Sequence, residues 1–175
     1  IGTDEALSHL SKVIGHREVE VRRRLVLALV ECPSDACLLL LKKLVCDSDP
    51  SVRRTAVNSI VKRRGPRAFD ALTEIVNDEQ FGRLDEDDQG AILVAYSKLG
   101  SDEAVDLLVQ LVDKVNPFRE RSLSFLRQAA FEALAHNKGE KAERALIRLA
   151  ASWRPAVKEQ ARAAMHKRRE LIYGG

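Results

Sequence analysis

Asp47-Ser48-Asp49-Pro50-Ser51-Val52-Arg53-Arg54-Thr55-Ala56-Val57 decides how this chain is read. Asp49 stands where a helix N-cap would be, and Pro50 follows at the first helical position, where a missing N–H costs nothing. The phrase that comes next is not unique. Val52-Arg53-Arg54-Thr55-Ala56 repeats Val21-Arg22-Arg23-Arg24-Leu25 and returns as Leu126-Arg127-Gln128-Ala129-Ala130 and Val157-Lys158-Glu159-Gln160-Ala161. A step of 31 residues separates Val21 from Val52 and Leu126 from Val157. Self-similarity at a fixed step marks a repeat array, in which each unit buries its apolar face against its neighbours.

A second helical phrase alternates with the first. Leu7, Leu10, Val13 and Ile14 recur as Leu38, Leu41, Leu44 and Val45, then as Leu72, Ile75 and Val76. The set continues as Leu108, Leu111 and Val112, and as Leu146, Leu149 and Ala150. This spacing predicts helices, and no strand alternation interrupts it. Ten helices in five pairs follow: 3–14 with 18–31, 34–45 with 50–64, 66–77 with 86–99, 101–114 with 120–137, and 140–151 with 154–171. Asp35 and Asp102 are further N-cap candidates, and Gly65-Pro66 stops one helix and opens the next. Gly100 and Gly139 are expected to close helices. Ala56, Ala91, Ala130 and Ala161 are expected at one close-packing position, and Ala68, Ala104 and Ala142 at its counterpart in the other helix.

Composition is ordinary for a folded chain: 175 residues, 45% hydrophobic and 31% charged, with a net charge of +3. Aromatics are only 5%, so aliphatic and small residues must fill the core and base-stacking platforms are scarce. Cys32, Cys37 and Cys46 make an odd count and no Cys-x-x-Cys, which argues against a disulfide framework and for reduced thiols in a cytoplasmic protein. No run of apolar residues approaches a membrane span. The absence of an initial Met suggests part of a longer chain.

These residues resemble the HEAT-repeat family. The match lies in an apolar helix, an Asp-containing turn and a Val-Arg-x-x-Ala helix, carried best by 47–57. The short spacing is similar to bacterial HEAT repeats of the phycobilisome-lyase type, within the armadillo-like superfamily. The resemblance implies an all-α fold, a right-handed superhelix of about five helical hairpins (3–31, 34–64, 66–99, 101–137, 140–171) forming a single domain over 1–175. It implies that the Val-Arg helices line a concave side. It also implies a ladder in which the turn Asp pairs with the following Arg, a pattern carried here by Asp47 and Arg53 as a structural turn pair. Elsewhere His16, Arg121 and Ser152 occupy the Asp position.

No catalytic constellation is found. His9, His16, His136 and His166 are scattered, and no nucleophile elbow or phosphate-binding glycine loop occurs. Asp85, Glu86, Asp87 and Asp88 lack the alternating ligands of a calcium loop and suit a helix N-terminus. No metal, cofactor or catalytic residue is expected. HEAT arrays serve mostly as scaffolds, so a non-catalytic protein-binding role is expected. The positions that vary between copies are its candidates: Arg23, Arg54, Asn58, Gln128 and Glu132, with Tyr96 nearby. The alternative is nucleic-acid binding through Arg22, Arg23, Arg24, Arg53, Arg54, Lys62, Arg63 and Arg64, although the basic register does not run the full length. A lyase or cofactor-attachment chaperone is a third reading, with no site residue to support it. Two breaks in rhythm, 77–90 and 114–124, are further candidates; Phe118, Phe125 and Phe131 surround the second, either as core filling or as interface. Leu7, Leu10 and Ile14 point to self-association through the N-terminal end.

Overall fold

The computed structural model describes residues 4–32, 34–100, 102–114 and 120–174, with side chains of the first helix from Ser8 and of the eighth from Ser124. Ten α-helices lie among the described residues: α1 Asp4–Val13, α2 Val19–Val30, α3 Asp35–Leu44, α4 Pro50–Arg63, α5 Pro66–Asn77, α6 Glu86–Gly100, α7 Asp102–Asp113, α8 Glu120–His136, α9 Glu140–Ala150 and α10 Pro155–Tyr173. No strand occurs among these residues. Each expected helix is present, and the five hairpins follow in the expected order.

Packing divides the chain into two compact units, 1–88 and 89–175, with the division inside α6. In unit 1, α2 lies along α4, and α3 packs against both α4 and α5. In unit 2, α8 packs against α7 and α10, and α9 against α10. The first helices α3, α5, α7 and α9 each bury one stripe. On α5 this is Ala68, Ala71, Leu72, Ile75 and Val76; on α7 it is Ala104, Val105, Leu108, Leu111 and Val112. These are the spacings at which successive side chains fall on one side of a 3.6-residue helix. Leu41, Leu72, Leu108 and Leu146 are fully enclosed. Enclosing each contributes about 1.5–3 kcal/mol relative to leaving it in water.

The small-residue positions hold with one exception. Ala56, Ala130 and Ala161 are fully buried, as are Ala104 and Ala142, and Ala68 nearly so. Ala91 is exposed, and Ile92 and Leu93 are the buried residues of that turn. The longer connector before α6 advances its register, so the alanine rotates out and an isoleucine takes the core position.

Caps show the same mix. Asp49 caps α4, its Oδ1 accepting from the Ser51 N–H at 2.8 Å, with Pro50 next. Ser34, not Asp35, caps α3, through the Ala36 N–H at 3.3 Å. Asp35 instead pairs with Arg67. Gly139 precedes α9 as its N-cap, and Gly100 is the last residue of α6. Between α4 and α5 only Arg64 and Gly65 intervene, both at positive φ, 50° and 80°. Glycine adopts this region freely, whereas Arg64 is strained there, by roughly 1–2 kcal/mol.

The first break in rhythm is structural. Phe81–Arg83 forms one 3-10 turn, and Phe81 is buried beneath the connector. At the second break, Phe118 lies outside the described residues, Phe125 is half-buried and Phe131 is buried. Leu10 and Ile14 at the N-terminal end are half-buried rather than exposed; the Leu7 side chain lies outside the described residues.

Candidate interaction face

The second helices carry the recurring arginine, and the fold encloses it. Arg22, Arg53 and Arg127 are 7%, 8% and 7% exposed. Arg22 grips Asp47 with two parallel bonds, Nε to Oδ2 and Nη2 to Oδ1, each 2.7 Å. Its Nη1 also donates to the His16 carbonyl at 2.7 Å. Two-pronged guanidinium–carboxylate pairs are among the stronger polar contacts in proteins. Hydrogen bonding to Asp47 pushes the Arg22 pKa further up, against burial. Burial pulls the Asp47 carboxyl upward, but Arg22 and the Asp49 N–H outweigh it and hold Asp47 below the usual carboxylate range.

The expected Asp47–Arg53 pairing is therefore corrected. Arg53 reaches Asp47 only at its backbone carbonyl, 3.0 Å, and Ser48 likewise at 3.2 Å. Its carboxylate partners are Asp85 and Asp88. The carboxylate ladder runs from one repeat forward to the next: each guanidinium holds main-chain carbonyls of the turn before it and carboxylates of the turn that follows. The acidic run ahead of α6 is thereby explained in part. Asp85 accepts from the Asp88 N–H at 3.0 Å and binds Arg53, so it caps a helix and closes a rung at once. The Asp88 N–H, then Arg53, hold the Asp85 carboxyl below its ordinary value against burial.

The sequence carried a signal for this ladder that a within-repeat reading overlooks. Arg22 and Asp47 are 25 residues apart. The same offset from Arg53 falls on Asp78, whose Oδ1 is instead taken by the Gln80 N–H at 2.7 Å. The connector moves the rung along to Asp85.

A second recurring position lies at the far end of these helices. Arg63 donates to the Leu29 and Ser34 carbonyls at 3.1 and 3.3 Å. Arg168 donates to the Gly139 carbonyl at 3.0 Å, and Asn137 to the Ser97 carbonyl at 3.2 Å. Each side chain reaches back to the end of the preceding second helix or to the turn that follows it. Burial alone lowers the Arg63 pKa. Arg63 and Arg168 thus act as turn staples, beyond any interaction with a helix dipole.

With these positions enclosed, the varying positions remain. Arg23, Arg54, Asn58 and Gln128 are exposed on their helices. Arg23 pairs with Glu20 at 3.1 Å. Glu132 is half-buried and tied to Lys167 and to His136, the latter at 3.1 Å. Tyr96 is only 3% exposed and belongs to the core of unit 2, which removes it from any surface. Arg23 with Arg54 and Asn58 share unit 1, and Gln128 with Glu132 share unit 2.

Two further features belong to unit 1. Cys32 and Cys37 are both buried and form a disulfide, with Cα atoms 6.2 Å apart. This corrects the reduced-thiol expectation for that pair. The α2–α3 turn brings the two side chains together at a separation that a sequence count does not reveal. Cys46 is a free, exposed thiol, its pKa pushed up by partial burial and by Asp78. It edges an open, largely apolar groove of about 610 Å³ between α3, α5 and Phe81, in which Leu39 and Leu40 take part. No group of three or more His, Cys, Asp or Glu suited to a metal occurs among the described residues. No helix among them is long and apolar enough to cross a membrane.

Helical hairpins stacked through recurring apolar positions define a helical-repeat protein. Comparison agrees for the first half of the chain: residues 7–87 match the model for HEAT repeats. Further helices follow in unit 2. Similar solved structures include an engineered protein from the Northeast Structural Genomics Consortium, 21% identical, covering 97% of this chain and 85% of that one, with a TM-score of 0.45. A designed armadillo repeat protein is 22% identical over 93% of this chain and 82% of its own, with a TM-score of 0.42. No curated protein matches the sequence.

Proposed function

We propose that this protein is a non-catalytic scaffold that binds another protein through the exposed side chains of its second helices. One observation supports this above the rest. The invariant parts of the repeat phrase are consumed by packing and by the arginine ladder, whereas Arg23, Arg54, Asn58 and Gln128 stand in water. Side chains that vary between copies at an exposed, rigidly held position suit recognition, and helices hold such groups more exactly than loops do. Repeat families use such surfaces as platforms, which adds a class-level argument only. Affinity capture comparing the native chain with an Arg23→Ala/Arg54→Ala/Gln128→Ala/Glu132→Ala variant tests the reading. At least one captured protein is expected to be lost from the variant. Identical capture by both, with the variant folded by circular dichroism, would sink it.

A further inference from the structure

Exposed cations outnumber exposed carboxylates on α2 and α4. Arg23, Arg24, Arg54 and Lys62 are all exposed there. Glu20 is the one acidic residue on the two helices, and it already engages Arg23 at 3.1 Å and Arg24 at 3.2 Å. Among the described residues, Arg54 and Lys62 make no ion pair. Leu27, 51% exposed, stands one helical turn after Arg23 and one before the exposed C-cap residue Glu31. Leu27 follows Arg23 by one helical turn, and Asn58 follows Arg54 in the same way, so each pair shares a helix face. α2 lies along α4 within unit 1, so the two pairs stand on neighbouring helices.

We infer that this surface of α2 and α4 docks an acidic, amphipathic protein segment that sets an apolar side chain on Leu27. The inference rests on the scaffold reading and names the partner's chemistry. Guanidinium groups at Arg23 and Arg54 present paired donors to carboxylates. An exposed leucine gains by contact with an aliphatic or aromatic side chain, and an amphipathic helix supplies such anchors at helical spacing. A nucleic acid fits less well. Its phosphates would gain nothing from Leu27, and neither α2 nor α4 carries an aromatic ring on which a base could stack.

The test uses the full chain and three labelled probes in fluorescence anisotropy. The first is a glutamate-rich helical peptide with leucines along one face. The second has the same charge with alanine in place of leucine, and the third is a 20-base-pair DNA. The first peptide is expected to bind roughly tenfold or more tightly than the second, and more tightly than the DNA. Leu27→Asp and Arg54→Glu are each expected to weaken it by at least about tenfold. Both positions are exposed, so circular dichroism should report an unchanged fold. Preference for DNA, equal binding of the two peptides, no detectable binding of the first, or indifference to Leu27→Asp would each overturn the assignment. A captured protein that depends only on Gln128 and Glu132 would overturn it too, while leaving the scaffold reading intact.

Discussion

The two units build the same hairpins with different polar interiors. Unit 1 locks its second helices with guanidinium–carboxylate pairs, buried for Arg22 with Asp47 and Arg53 with Asp88 and open to water at Asp85. In unit 2 the side chains at the corresponding positions also donate to main-chain carbonyls. Arg127 reaches Val112 O at 3.4 Å, Asn137 reaches Ser97 O at 3.2 Å, and Ser97 reaches Ala133 O at 2.7 Å. All three cysteines, including the Cys32–Cys37 disulfide, also fall in unit 1. The difference teaches that the repeat fixes where a buried polar group must sit, but not what chemistry satisfies it. Carboxylates take part in the first unit; in the second, the Arg127 guanidinium and the neutral side chains of Asn137 and Ser97 all donate to carbonyls.

The sharpest way to break that comparison is to remove one partner from each interior. Asp47→Ala leaves Arg22 enclosed without its carboxylate, and is expected to cost about 3–5 kcal/mol. Asn137→Ala removes a neutral group and strands a carbonyl, for about 1–3 kcal/mol. Urea unfolding of both variants measures the gap. Equal losses would mean that the charged rungs contribute no more than neutral ones.

Packing offers a smaller contrast. Ala130→Leu places a bulky side chain where none fits and is expected to cost about 1–3 kcal/mol. Ala91→Leu, at a position the repeat count makes equivalent, is expected to stay within about 0.5 kcal/mol because Ala91 faces water. Comparable losses in thermal melts would show that the register of α6 is not advanced as described.

Packing was legible from the sequence because apolar spacing reports directly on burial. Leu72, Ile75, Val76, Leu108 and Leu146 fall where helical periodicity puts them. The polar ladder was harder to read, since its partners come from adjacent repeats and one connector shifts the count from Asp78 to Asp85. Tyr96 misled because proximity to a varying position says nothing about which side of the helix it occupies. The Cys32–Cys37 pair was missed for a related reason: a turn, not a sequence interval, sets how close two side chains come. Of the candidate interface, exposure alone can be compared: Arg23, Arg54 and Asn58 are exposed as register suggests, whereas Leu27 stands out only once its exposure is known.

The finest test of the comparison uses acid, because the two interiors titrate in different windows. In unit 1 the Ser51 hydroxyl, opposed by burial, holds the Asp49 carboxyl low, and Asp47 and Asp85 are held low as well. A carboxyl whose folded pKa is depressed binds fewer protons than its unfolded counterpart. Its contribution is therefore complete above the unfolded value of about 3.9 and disappears as pH falls toward the folded one. In unit 2, burial and then Lys98 push the His136 pKa down, although Glu132 pulls the other way. The unfolded imidazole takes up its proton near about pH 6.5 while the folded one resists. The His136 contribution is thus present above that value and is lost as pH falls through the lowered folded pKa. Amide hydrogen exchange, corrected for intrinsic rate, should show α8 losing protection between about pH 7 and 5 while α2 and α4 hold theirs until about pH 4. His136→Gln should flatten the α8 slope across the upper window and leave the acid limb unchanged. Parallel loss of protection in α2 and α8 from pH 7 downward would show that the two interiors do not titrate separately.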